Sequence, residues 1–271
     1  MSDATCRPAA VAGQFYPKEP DALRSDVKSR IEENGDALRC LGIVSPHAGF
    51  KYSGNVAGAV YSRLVVPETV ILLGPNHTGL GAGIALSPHA AWATPLGTVP
   101  VDKEFTEVFR EVFPWAEESE EAHRREHSLE TQLPFLQCVR PDVRIVPIVM
   151  KRMRAQDCRV LGLALAKAIR NSGKDVLIVA SSDMTHFESQ ESAAEKDRMA
   201  IERIKALDPE GLDDVVRGYN ISMCGVNPAT AMLVAAGELG AEEGRLVRYS
   251  NSGKVTGDYS HVVAYAGLTV Q

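Results

Sequence analysis

Apolar residues in this chain come in short unbroken runs, and this constrains the fold more than any other feature. The runs "LGIV" (41–44), "TVILL" (69–73), "RIVPIVM" (144–150) and "DVLIVAS" (175–181) are rich in β-branched Val and Ile. Strands of this kind need cover on both faces, as in sheets packed between helices. Two further strands are expected at "RLVRYS" (245–250) and "HVVAYAGLTV" (261–270), and helical patterns fill 54–64, 101–113, 128–139, 158–169, 192–207 and 227–239. The alternation predicts an α/β fold, with a central mixed sheet in a three-layer domain. At 271 residues the length permits one large domain or two modest ones. No internal repeat, low-complexity segment or Gly/Ser linker marks a boundary, so one domain over 1–271 is expected. The acidic stretch "EESEEAHRREH" (117–127) reads as a solvated loop or helix start.

The charge balance, 29 basic against 35 acidic residues and a formal net of -6, disfavours nonspecific binding to nucleic acid or to an anionic membrane. The first residues, "MSDATCRPAAVAGQFYP", lack the apolar core of a leader, and no segment approaches the roughly 18 apolar residues of a membrane span. A cytoplasmic protein is expected. The five cysteines, Cys6, Cys40, Cys138, Cys158 and Cys224, are odd in number and widely spaced, which predicts reduced thiols.

Three strands are expected to end in loops that carry ligand-type side chains. "LGIV" leads to "SPHAG" with His47, "VILLG" to "PNHTG" with His77, and "LIVASS" to "DMTHF" with Asp183 and His186. Ligands of open α/β sheets bind at the carboxyl ends of strands, so these loops are expected to converge on one cup. A single histidine of this kind is usually hydrogen-bonded structure; three together favour a shared site. Two imidazoles and a carboxylate suit a non-haem ferrous ion, and zinc accepts the same donors. His89, His123 and His261, which end no strand, read as structural.

Two more constellations stand out. In "EHSLETQLPF" (126–135) His127 and Glu130 are three apart, one face of a helix start, and fit either a supporting acid/base role or a capped helix with Ser128 as N-cap and a His127–Glu130 ion pair. In "NISMCGVNPATAM" (220–232) Cys224 precedes Asn227, a candidate N-cap, and Pro228. A helix amino terminus favours the thiolate of a ligand or nucleophile. On spacing alone a buried, inert cysteine is the better reading. The glycines of "GPNHTGLGAG" (74–83) lack the G-K-[ST] of a phosphate loop and read as a loop around His77.

The segments "VAGQFYP", "SPHAGFKYSG", "LLGPNHTG", "TPLG", "EHSLETQLPFLQ", "VASSDMTHF", "CGVNPATAML" and "DYSHVVAYAGLTV" together resemble the Memo family over nearly the whole chain. That resemblance implies a fold similar to the class III extradiol dioxygenases, and in microbes an association with a radical-SAM protein. Carried over, it places pocket histidines at His47 and His77, a cysteine at Cys224, an acid and histidine pair at Asp183 and His186, a pocket tyrosine at Tyr52 and an aromatic at Phe15. The cysteine stands near the carboxylate ligand of the dioxygenases. A thiolate there pulls the site from iron(II) toward softer ions, cuprous copper and zinc.

Three functions compete. The first is a metal-dependent redox enzyme, with His47, His77 and Cys224 holding iron or copper and Asp183 or His186 orienting a ligand or moving a proton. The second is a non-catalytic protein that binds a peptide, a phosphopeptide or a small anion in the same cup through Phe15 and Tyr52. The third, ranked last, is cysteine nucleophile chemistry with Cys224 activated by His47 or His186.

Overall fold

The computed structural model describes residues 6–32 and 37–271. Residues 1–5, where the stretch read for a leader begins, lie outside the described residues. The main sheet contains β1 (Gly42–Ser45), β2 (Thr69–Pro75), β3 (Ile84–Leu86), β4 (Glu117–Glu118), β5 (Arg144–Met150), β6 (Val176–Ser181), β7 (His186–Glu188), β8 (Gly244–Asn251) and β9 (Val262–Val270). Their order is β7-β9-β1-β6-β2-β5-β3-β4, and β8 also pairs with β9. The four central strands are parallel, while β9 and β3 run antiparallel to their neighbours β1 and β5. The expected mixed sheet is therefore present.

Among the described residues eight longer helices flank it: α1 (Pro20–Arg30), α2 (Phe50–Tyr61), α3 (Lys103–Val112), α4 (Leu133–Val139), α5 (Ala155–Ser172), α6 (Gln190–Lys205), α7 (Pro209–Gly218) and α8 (Val226–Glu238). On one face α8 covers β1, β6 and β2 and packs on α5 and α7; on the other, α2 covers β8 and β9 and packs on α1 and α4. The unbroken apolar runs follow from this. Ile43, Val70, Leu72, Leu177 and Val179 enter one core, and their neighbours Val44, Ile71, Leu73, Ile178 and Ala180 enter the other. Each such burial stabilises by about 1.5–3 kcal/mol relative to exposure for the larger side chains.

Several boundaries differ from expectation for local reasons. The helix expected from 54 begins at Phe50, directly after the strand-end loop, so Tyr52 lies on its first turn. The segment 128–139 is not one helix: a 3-10 turn at Glu130–Gln132 precedes α4, and Pro134 sits in the first turn of α4. Ser128 caps nothing, its hydroxyl donating to the Pro75 carbonyl at 3.0 Å. Nor is Asn227 an N-cap. It lies within α8 and joins that helix to the Met153 backbone and the Cys158 sulfur. The acidic stretch 117–127 is only partly solvated: Glu117 and Glu118 are exposed, but His123 and Glu126 are fully buried.

All five cysteines are free, and Cys158 alone is fully buried. Among the described residues no helix is long and apolar enough to cross a membrane.

Candidate metal and ligand site

In register, Ser45 on β1 stands beside Ser181 on β6, and Leu73 on β2 stands beside Ala180. The three strand-end loops therefore leave the sheet side by side, and the side chains they carry meet. His47 follows β1, and its backbone N–H donates to Asp183 Oδ1 at 2.9 Å; Ala48 N–H adds a second bond at 3.3 Å. Asp183 follows β6, so its carboxylate fastens one loop to the next. Cys224 arrives from the loop before α8. Its sulfur accepts from Asp183 N–H at 3.2 Å and lies 3.2 Å from His47 Nε2. Gly225 makes that approach possible, since a Cβ there would sit 2.4 Å from both the Ser181 carbonyl oxygen and the Ser182 Cβ. Gly74 does the same for the loop of His127, because a Cβ would come within 2.7 Å of Ser128 Oγ.

The hydrogen-bond network assigns the tautomer of His47. The Ser181 hydroxyl has one proton, which it donates to the Ser128 carbonyl at 2.6 Å, and it accepts from Gln132 Nε2 at 2.9 Å. Gln132 is itself fixed by donating to the Pro46 carbonyl and accepting from Tyr61. The remaining contact, His47 Nδ1 to Ser181 Oγ at 2.9 Å, must have the imidazole as donor. The Nε2 lone pair of His47 then faces Cys224. Burial first, and the neighbouring imidazoles second, hold His47 well below the usual histidine range, so the ring is neutral.

His77 is fixed by a different device. Glu126, fully buried, accepts from His77 N–H at 2.6 Å, from His77 Nδ1 at 2.8 Å, and from the N–H groups of His127 and Ser128 at 2.9 Å each. Burial alone would raise its pKa, but hydrogen bonds from His77 and Ser128, together with the imidazoles of His77 and His127, bring it down to about 2. A carboxylate thus holds His77 Nδ1 as a donor and leaves Nε2 free. This is the arrangement found behind metal-bound histidines, where the outer carboxylate orients the ring and raises its basicity.

The donor atoms of His47, His77 and Cys224 lie within 4.8 Å of one another, and so do those of His77, Glu126 and His127. A tetrahedral metal with bonds of about 2.0–2.3 Å brings its ligand atoms roughly 3.5 Å apart, so the first set needs only small adjustment. The donors also fit chemically, with two imidazole nitrogens and one sulfur. The sulfur departs from expectation. Burial, with the Asp183 carboxylate next, pushes the Cys224 thiol well above its ordinary range, so the helix terminus alone does not make it a thiolate.

The other expected residues are distributed around this cluster. His127 stacks on His77 at 4.6 Å and lies 5.4 Å from His47, centroid to centroid. The Phe15 ring covers it at 4.6 Å. Asp183 has its carboxyl raised to about 6, burial being the main cause. His186 donates Nδ1 to the Ser222 carbonyl at 3.0 Å, and its charge is felt by His47 and Asp183. Tyr52 is 37% exposed on α2.

Glu130 does not join the cluster. The expected pairing of His127 and Glu130 is replaced by a buried polar network in which Glu130 accepts from Arg7 (2.6 Å), Ala10 N–H (2.8 Å), Val11 N–H (3.0 Å) and Tyr16 OH (2.6 Å). It holds the amino-terminal arm. Only its charge reaches His127.

A cavity of about 520 Å³ opens beside the cluster, with His77 and Cys224 on its wall, and Met223, Arg152, Arg217 and Asn227 among its other lining residues. His47 and Asp183 lie behind that wall. Ser181, Gln132 and Glu126 are the supporting residues that sequence reasoning missed: Ser181 and Glu126 each fix an imidazole, and Gln132 fixes Ser181.

A family model described as Memo-like protein matches residues 7–269. The chain is 43% identical over 276 residues to a MEMO1 family protein of Methanopyrus kandleri, covering 97% of this chain and 98% of that one. It is 44% identical over 265 residues to a MEMO1 family protein of Aquifex aeolicus, with 97% and 98% covered. Among solved structures, an uncharacterized protein of Escherichia coli K12 shares the α/β fold with a TM-score of 0.53 at 14% identity, over 85% of this chain and 100% of that one.

Proposed function

The chain belongs to the Memo family, and from that premise we propose that it is a metal-dependent redox protein in which His47, His77 and Cys224 hold iron or copper. Zinc can use the same donors. One observation carries the reading: imidazoles from two different strand ends bring donor atoms within 4.8 Å of one thiol, and each ring is held in its tautomer by its own buried partner. A bound iron or copper ion would supply one-electron chemistry.

The protein's own groups would do the rest. Ser181 and Glu126 keep the two imidazoles oriented. Asp183, with its carboxyl near 6, changes protonation close to neutrality and stands 4.0 Å from His47 Nε2, so it can hold or release a proton beside the bound ligand. His186 has its Nδ1 committed to a carbonyl and its second nitrogen available for proton transfer. Phe15 shields the His127 edge from water.

The experiment is metal content by mass spectrometry after anaerobic reconstitution with ferrous, cuprous or zinc ions, in wild type, His47→Ala and Cys224→Ser. Near-stoichiometric metal in wild type, lost in both variants, supports the reading. No metal in any sample overturns it and leaves a scaffold that binds peptides or small anions without turnover.

A further inference from the structure

The cavity beside the cluster is electrically unusual for this chain. The protein has six more acidic than basic residues by formal count, yet none of the residues lining the cavity is Asp or Glu, and two are arginines. The arginines differ. Arg217 donates Nε to Asp213 at 2.6 Å and a terminal N–H to the Met153 carbonyl at 2.8 Å, so its charge is balanced and its position fixed. Arg152 is exposed, and among the described residues no carboxylate pairs with it.

Three facts coincide here: an uncompensated guanidinium, a cavity with no acidic lining, and a wall formed by His77 and Cys224. The carboxylates nearest the wall do not neutralise Arg152. Glu126 is behind His77 and committed to four N–H groups, and Asp183 is turned to the His47 loop. The amino terminus of α8 also lines the cavity through Val226, Asn227 and Pro228, adding the positive end of a 13-residue helix. A volume of about 520 Å³ lies in the range of small-molecule sites, below what a folded partner would need.

We infer that this cavity seats a small organic anion carrying a carboxylate or phosphate group, with Arg152 binding that group while the rest of the molecule extends toward His77 and Cys224. As an account of the substrate it rests on the metal-dependent reading above. The binding step does not. Arg suits the task because its planar fork matches both oxyanions, whereas Lys offers only a point charge.

The test is calorimetric titration of the metal-free full chain with inorganic phosphate and, separately, with succinate at matched ionic strength, in wild type, Arg152→Gln and Arg152→Lys. Metal stoichiometry is measured on the same samples after reconstitution. Saturable binding of at least one anion by wild type is expected, with Arg152→Gln weakening it about tenfold or more and Arg152→Lys falling between. Which anion binds tells phosphate esters from carboxylates. Metal content of Arg152→Gln should equal wild type, since Arg152 is not a donor to the cluster. Failure of wild type to bind either anion, or equal binding by Arg152→Gln, overturns the inference. Anion binding that persists in a protein taking up no metal overturns the metal-dependent reading instead and leaves the anion site standing.

Discussion

His47 Nε2 lies 3.2 Å from Cys224 Sγ, although 177 positions of chain separate the two residues. Since Nδ1 of that ring donates to Ser181, the Nε2 accepts, and the thiol proton points at it. Replacing the thiol with a hydroxyl preserves a donor here and removes a soft ligand. Cys224→Ser should therefore keep the fold, with a melting midpoint close to wild type, while copper content falls below about a tenth of wild type. Retained copper with wild-type stoichiometry would exclude sulfur ligation.

Metal affinity should rise with pH. Burial holds the Cys224 thiol above its ordinary range, so it stays protonated through pH 8, and ligation as thiolate must release that proton. His47, already neutral, releases none. One proton per ion predicts roughly a tenfold gain in affinity per pH unit between pH 7 and 8.5, read from competition with a chelator of known pH dependence. A flat profile would mean that the metal binds without the sulfur.

Glu126→Gln tests the buried carboxylate separately. The amide can accept at one oxygen only, and its NH2 group would face donors that now point at Glu126. Loss of these charge-assisted bonds should cost about 2–3 kcal/mol of unfolding free energy. Metal affinity should fall about 10- to 100-fold, the effect typical of removing the carboxylate behind a ligand histidine. Equal metal affinity in the variant would show that His77 needs no such anchor.

The Arg7–Glu130 pair, 2.6 Å apart and fully buried on both sides, should behave in the opposite way. Arg7→Met strands a buried carboxylate beside Tyr16, and loss of one partner of such a pair costs about 3–5 kcal/mol. Metal stoichiometry of the folded fraction should not change. A selective loss of metal without loss of stability would return Glu130 to the site.

The central strands and the convergence of His47, His77 and Asp183 were legible because apolar continuity marks strands and a histidine after such a run is conspicuous. Cys224 was legible mainly through family resemblance, as its spacing alone favours an inert thiol. Glu126 was hidden in a run of charges that reads as solvated; the imidazole its buried carboxylate binds, His77, is 49 positions away. Ser181 looked like the polar end of a strand, and only its three neighbours show that its hydroxyl has a single available direction. Glu130 misled for the same reason in reverse: local spacing suggested a partner in His127, while Arg7 and Tyr16 from the distant amino terminus took it. The short strand at His186–Glu188 is too brief and polar to announce itself.

The donors of the cluster come from loops after β1, after β2 and before α8, and no two of them are close in sequence. An unfolded chain therefore presents only scattered, competing donors, and the ion cannot serve as a nucleus for folding in the way it does in small zinc modules. If the cluster holds an ion, the order of assembly is thereby dictated: the polypeptide must complete its long-range strand pairings first, which is the slow part for such a topology, and take up the ion afterwards. Cells short of that ion would accumulate a folded, stable and empty protein rather than lose it to degradation.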